Sequence, residues 1–160
     1  SALSTADAIS IAKMAEAEGC NGLMVLPPYV YVGDWRETKA HVGAIFSATK
    51  LSCMLYNNPI AYKPDFLPEQ VRELVSEYEN FQAIKESSAD VRRVMALRAL
   101  IGDRLRILCG VDDEIVEAVY AGAVGWIAGL VNAFPRESVE LFELAQRGES
   151  EKGSRRRRPC

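Results

Sequence analysis

The 160-residue sequence is 49% hydrophobic and 26% charged, which suits one globular domain with a sizeable core. No apolar run reaches the roughly 18 residues that a membrane-spanning helix needs, and the first residues form a polar-capped helical pattern rather than a charged and then apolar leader. The net charge of −3 is uneven: residues 155–158 are all arginine, and the remainder carries 15 basic against 22 acidic residues, so the folded part is acidic and a poor nucleic-acid surface.

Short apolar runs alternate with amphipathic helical patterns along the chain. Ser4 or Thr5 caps a first helix carrying Ile9, Ala12 and Met14, and Gly19 ends it. A strand is expected at 22–26, then a helix from Asp34 to about Ala48. A second strand is expected at 52–56. Pro68 suits a first helical position, with Val71, Leu74, Val75 and Tyr78 following at helical spacing. A third strand is expected at 81–85. Ser88 or Asp90 starts the next helix, with Val91, Val94 and Met95 inward and Gly102 at its end. A fourth strand at 105–109 precedes a short helix from Asp112 or Asp113. A fifth at 124–129 precedes a last helix opened by Pro135 and carrying Val139, Leu141 and Phe142. The strands are short and apolar on both faces, as parallel strands covered on both sides are.

A helix followed by five βα units predicts parallel strands with right-handed crossovers. Both a barrel and an open doubly wound sheet fit that spacing. No GxGxxG follows a strand and no GxxxxGK[ST] occurs, which weighs against a nucleotide-binding open sheet. An eight-stranded barrel takes about 250 residues, and at least roughly 200. The reading is therefore an α/β fold, a partial TIM (β/α)8 barrel over residues 1–147, opening on a helix as if a strand preceded it. Such a piece leaves two sheet edges unpaired and part of its apolar interior open. Residues 148–160 read as a polar and basic tail, expected to be disordered.

The four cysteines, Cys20, Cys53, Cys109 and Cys160, are widely spaced with no CxxC pair, so no zinc site is expected. Cys53 and Cys109 fall in apolar strand-like runs and read as reduced core residues, which suits a cytoplasmic location.

Lys85 carries the main chemical signal. It ends the apolar run Phe81-Gln82-Ala83-Ile84-Lys85, and strand alternation puts Phe81, Ala83 and Lys85 on one face. A lysine in an apolar cavity is costly unless paired or neutral. The neutral amine is the form that attacks a ketone to make an imine, and barrels build active sites at the C-terminal ends of their strands. A strand-end lysine reaching solvent or a salt bridge is the other reading. Tyr56 ends the preceding apolar run, where a phenol can relay protons to an imine and its carbinolamine precursor; a core tyrosine with a satisfied hydroxyl is its alternative. Asn57 and Asn58 read as shaping the turn before Pro59.

Tyr56-Asn57-Asn58-Pro59, followed by Ile84-Lys85-Glu86, resembles the dihydrodipicolinate synthase and N-acetylneuraminate lyase family of Schiff-base aldolases. Ser4-Thr5-Ala6-Asp7-Ala8, Pro27-Pro28-Tyr29, the stretch from Gly110 to Asp113, and Gly125-Trp126-Ile127 with Asn132 resemble further family segments. The likeness covers about residues 1–147 and implies strands four to eight of the barrel. It implies a lyase, commonly a homotetramer, that forms a lysine Schiff base with a pyruvate-like or 2-keto-3-deoxy acid. Lys85 would be the Schiff-base lysine and Tyr56 the proton relay. Gly110, Ile127 and Tyr29 would line the substrate pocket. No metal or organic cofactor, nucleic-acid partner or membrane partner is implied.

The departures from the family pattern bear on the branch. The Gly-Thr-Thr-Gly-Glu segment that binds the keto-acid carboxylate belongs to the family's second strand and does not occur here. Ala61 stands where the synthase branch has an arginine, and Val30 where it has the second tyrosine of Tyr-Tyr, with Tyr31 close by. These departures favour a dehydratase, deaminase or aldolase branch. The alternatives are a 4-hydroxy-tetrahydrodipicolinate synthase, a non-catalytic barrel fragment, and an open-sheet binding protein, which strand order would reveal. His41, Trp35 and Trp126 read as packing residues, and Asp112 and Asp113 as helix caps. Glu86 reads as orienting its neighbours or pairing with Arg92 or Arg93. Gly122, Gly125 and Gly129 suit turns and close strand packing.

Overall fold

A computed structural model describes residues 2–29 and 31–148. Val30 and the tail from residue 149 onward lie outside the described residues. The chain runs α1 (Thr5–Ala17), β1 (Gly22–Val25), α2 (Trp35–Ser47), β2 (Ser52–Asn57), α3 (Pro59–Tyr62), α4 (Pro68–Glu77), β3 (Phe81–Glu86), α5 (Arg92–Ile101), β4 (Arg106–Cys109), α6 (Ile115–Tyr120), β5 (Gly125–Trp126) and α7 (Pro135–Gln146). All five strands are parallel and pair in sequential order, β1-β2-β3-β4-β5. A doubly wound sheet reverses its strand order at a switch point; this one does not.

The helix ends follow from the residues at them. The Ser4 hydroxyl accepts from Asp7 N–H, and Asp34 forms a capping box with Glu37. Gly19 and Gly102, both with positive φ, end α1 and α5. Pro68 and Pro135 open α4 and α7. His41 joins α2 to α1 through a 2.8 Å contact between its Nδ1 and the Thr5 hydroxyl. Burial pulls its imidazole below the usual range, against a hydrogen bond with the Leu26 backbone.

Several expectations are corrected. The helix predicted from Ser88 or Asp90 begins at Arg92; Asp90 stands two residues before it, its carbonyl accepting from Arg93 N–H and its carboxylate from the Arg92 N–H and side chain. Met95 points outward, 59% exposed, and Leu97 takes the inward place beside Val94. Val139 is likewise exposed, while Leu141 is buried. The helix predicted from Asp112 or Asp113 begins at Ile115. The Asp112 carboxylate is occupied elsewhere, accepting from the N–H groups of Gly129 and Leu130. Those bonds hold a tight turn at Leu130–Asn132, which shortens the fifth strand to Gly125–Trp126.

The outer face of the sheet packs on the helices. Val25, Leu55, Ile84 and Ile107 form one row across it, all buried with Phe46, Val71 and Leu74 of α2 and α4. Cys53 and Cys109 lie in the same layer, and burial pushes both thiols up to about 11. The inner face carries Met24, Met54 and Ala83 in one row and Tyr56, Lys85 and Leu108 in the next. Met24 remains 47% exposed there.

Phe81 is not on this inner face. A register shift between Cys53 and Met54 pairs Phe81 with Cys53 and Ala83 with Met54, so the extra residue, Gln82, breaks the alternation. Phe81 therefore turns to the helix side and stacks on Phe46 at 5.1 Å.

Candidate active site

The upper inner face begins with Tyr56 and Lys85, which are direct register partners on β2 and β3. One residue layer above, alternation places Asn58, Ser87, Gly110 and Ile127 on the same side. Backbone bonds carry the ladder into that layer: Ser87 N–H donates to Asn57 O, Gly110 N–H to Glu86 O, and Ile127 N–H to Cys109 O. The predicted site residues Lys85, Tyr56, Gly110 and Ile127 thus converge at the C-terminal ends of adjacent strands.

Lys85 Nζ lies over the Tyr56 ring, 4.0 Å from its centroid, inside the roughly 6 Å range of amine–ring attraction. The Tyr56 hydroxyl accepts from Asn58 Nδ2 at 2.9 Å. Burial acts to raise the Tyr56 phenol, but the Asn58 hydrogen bond and the nearby Lys85 outweigh it and hold the phenol below its usual value. Tyr62 stands edge-on to Tyr56, 5.8 Å between centroids, and Tyr29 packs against Tyr62 at 6.1 Å. Tyr29 thus joins the group through Tyr62.

Gly110 is packed against the lysine stem. A Cβ there would collide with Ser87 Oγ and come within 2.8 Å of Lys85 Cε. Any larger residue at this position would make the Ser87 hydroxyl and the Lys85 stem shift. Ser87 Oγ is buried and has no hydrogen-bond partner among the described residues.

Behind the pair, on the outer face, Asn57 is fully buried and braces the site. Its amide oxygen accepts from Phe66 N–H, and its Nδ2 donates to Glu86 Oε2 at 3.0 Å. Glu86 Oε1 accepts from Ser88 N–H at 2.8 Å. Burial raises the Glu86 carboxyl, and the Asn57 and Ser88 bonds oppose that shift in part. Glu86 does orient its neighbours, but neither predicted arginine pairs with it. Arg93 makes a two-pronged bridge to Asp65 and Arg92 pairs with Asp90.

Three residues escaped the sequence reading. Asn58 is more than a turn residue: its Oδ1 accepts from Ala61 N–H and caps α3, a four-residue helix the pattern did not predict. Tyr62 is brought to the site by that helix. Ser87 follows the strand and carried no signal beyond its place two residues after Lys85.

Comparison with known proteins places the chain in a family. The model of the dihydrodipicolinate synthetase family matches residues 1–159. The chain belongs to that family. A 4-hydroxy-tetrahydrodipicolinate synthase of Clostridium tetani is 31% identical over 148 residues, 92% of this chain and 50% of the relative. The corresponding synthase of Geobacter metallireducens is 32% identical over 93% of this chain and 51% of its own length. The solved structure of the 4-hydroxy-tetrahydrodipicolinate synthase of Methylacidiphilum fumariolicum SolV superposes with a TM-score of 0.91 at 31% identity. That superposition covers 96% of this chain and 51% of the other. The chain spans about half the length of these relatives, and the five sequential parallel strands form part of a TIM barrel.

Proposed function

We propose that the protein acts as a lyase in which Lys85 forms a Schiff base with a pyruvate-like or 2-keto-3-deoxy acid. The observation that carries this reading is Lys85 Nζ poised over Tyr56 at the strand ends, with Gly110 cleared to admit its stem. The Lys85 amine adds to the keto carbon, giving a carbinolamine. Tyr56 passes a proton to the departing hydroxyl, and water leaves as the C=N bond forms. The protonated imine then accepts the electron pair of a bond at the next carbon, so a proton is lost there or, where a carbon–carbon bond breaks, an aldehyde. In the dehydratase and deaminase branches the enamine formed by proton loss then expels water or an amine from the carbon beyond, the leaving group taking up a proton as it departs with the bonding pair. Gly110, Ile127 and Tyr29 border the substrate. The reaction needs no metal or organic cofactor, and the protein works in the cytoplasm as a homo-oligomer. No helix among the described residues is long and apolar enough to cross a membrane.

The test is borohydride trapping with pyruvate and with a 2-keto-3-deoxy sugar acid, read by intact mass. A reduced adduct on the wild type that is absent from Lys85→Ala establishes the imine lysine. Absence of an adduct with either acid rejects activity of this chain and supports a non-catalytic fragment.

A second reading places the chain in the synthase branch, because the relatives above carry that name. Ala61 weighs against it, since it offers no cation to an aldehyde-acid substrate. Consumption of aspartate semialdehyde in the presence of pyruvate would decide for the synthase.

A further inference from the structure

Asn58 sits where β2 passes into α3. Its Oδ1 accepts from Ala61 N–H at 3.1 Å. A backbone N–H only donates, so the amide oxygen is committed to the cap and the amide nitrogen must be the edge facing Tyr56. That nitrogen donates to the Tyr56 hydroxyl at 2.9 Å. Asn58 therefore offers the phenol no acceptor. The phenol proton thus points away from Asn58, and the polar groups beside Tyr56 in the cleft are Lys85 and the buried Ser87 hydroxyl. The edge-on Tyr62 ring limits how far the Tyr56 ring can swing out of this arrangement.

We propose that Asn58 is a positioning residue that fixes the Tyr56 hydroxyl as a donor into the Lys85 cleft. The inference rests on reading Lys85 as the imine-forming lysine and Tyr56 as its proton relay. One amide thus sets the helix cap and the direction of proton transfer together. A phenol that already receives an N–H bond also gives up its proton more readily, which agrees with the lowered Tyr56 phenol.

The cap and the orientation can be separated. Asn58→Ser and Asn58→Asp both keep an oxygen at the cap position, and neither presents an N–H to Tyr56. The aspartate would instead accept the phenol proton and turn it away from the cleft. The full chain, labelled with tyrosine carrying carbon-13 at Cζ, is titrated by NMR, and Tyr56 is assigned by its loss in Tyr56→Phe. The Tyr56 midpoint should rise by on the order of one pH unit in Asn58→Asp and by less in Asn58→Ser. The pH profile of imine formation should move the same way, and thermal unfolding should stay close to wild type. Midpoints that coincide with wild type in both variants overturn the proposal, because a purely structural cap does not touch the phenol. Trapping on the same samples keeps the two readings apart. Raised midpoints without any imine would remove the Schiff-base role and leave Asn58's hold on the phenol intact. An imine with unmoved midpoints would remove Asn58 and keep the Schiff base.

Discussion

Lys85 and Tyr56 are register partners on adjacent parallel strands, and the lysine nitrogen rests 4.0 Å from the centre of the phenol ring. Neither side chain needs a loop to bring it to the other; the sheet does so. Tyr56→Phe keeps the ring face and removes only the hydroxyl. If the hydroxyl relays protons, imine formation with pyruvate should slow by about 10²-fold or more. The rate at which the borohydride-trapped adduct appears measures this directly. Equal rates in the two proteins would leave Tyr56 as packing.

Gly110→Ala tests the packing of the lysine stem. The new methyl would strike Ser87 Oγ and crowd Lys85 Cε. Overpacking of this kind costs roughly 1–3 kcal/mol, and displacement of Lys85 should reduce imine yield beyond any loss of folded protein. Ser87→Ala removes one of the two obstacles. The double variant should therefore recover part of the stability lost in Gly110→Ala, as urea unfolding of the four proteins would show. Strict additivity would mean that the three residues are not in contact.

The architecture was legible in the sequence because short apolar runs and helix-capping residues leave local signals. Ser4, Asp34, Gly19, Gly102, Pro68 and Pro135 all mark the boundaries their chemistry predicts. The errors lie where a side chain bonds across elements. Asp112 caps a turn 17 residues away rather than its own helix. Phe81 leaves the inner face because one strand gains a residue relative to its partner, which a single strand's pattern cannot show. At the site, Lys85 and Tyr56 were legible from strand ends and from family likeness. Asn57 and Asn58 were not, because adjacent asparagines before a proline look alike in sequence. In the fold one faces the core and the other the cleft.

That difference is measurable. Asn57→Ala removes the acceptor for Phe66 N–H and the donor to Glu86, both inside the protein. Leaving buried polar groups without partners should cost about 3 kcal/mol. Asn58→Ala removes an exposed cap bond and the bond to Tyr56 and should cost about 1 kcal/mol. Denaturant midpoints of the two variants would rank them, and equal losses would contradict the buried bracing given to Asn57.

Glu86 supplies the pH dependence. Its carboxyl is only 5% exposed, and burial raises it above the ordinary value of 4.5, with Asn57, Ser88 and Arg93 opposing. The folded state therefore holds this proton more tightly than the unfolded state. The carboxyl's contribution to stability is complete below about pH 4.5 and is lost as pH rises through the raised folded value. Glu86→Gln does not titrate. It also loses one acceptor, since Glu86 receives N–H bonds from both Asn57 and Ser88 while a glutamine offers one oxygen. The variant should be less stable than wild type at pH 4.5 by roughly 1–3 kcal/mol, and the gap should narrow toward neutrality. Urea unfolding of both proteins at several pH values isolates this group, because the other carboxylates cancel in the difference. A gap that stays constant, or widens with pH, would mean that Glu86 ionises in the folded protein without the desolvation its burial imposes.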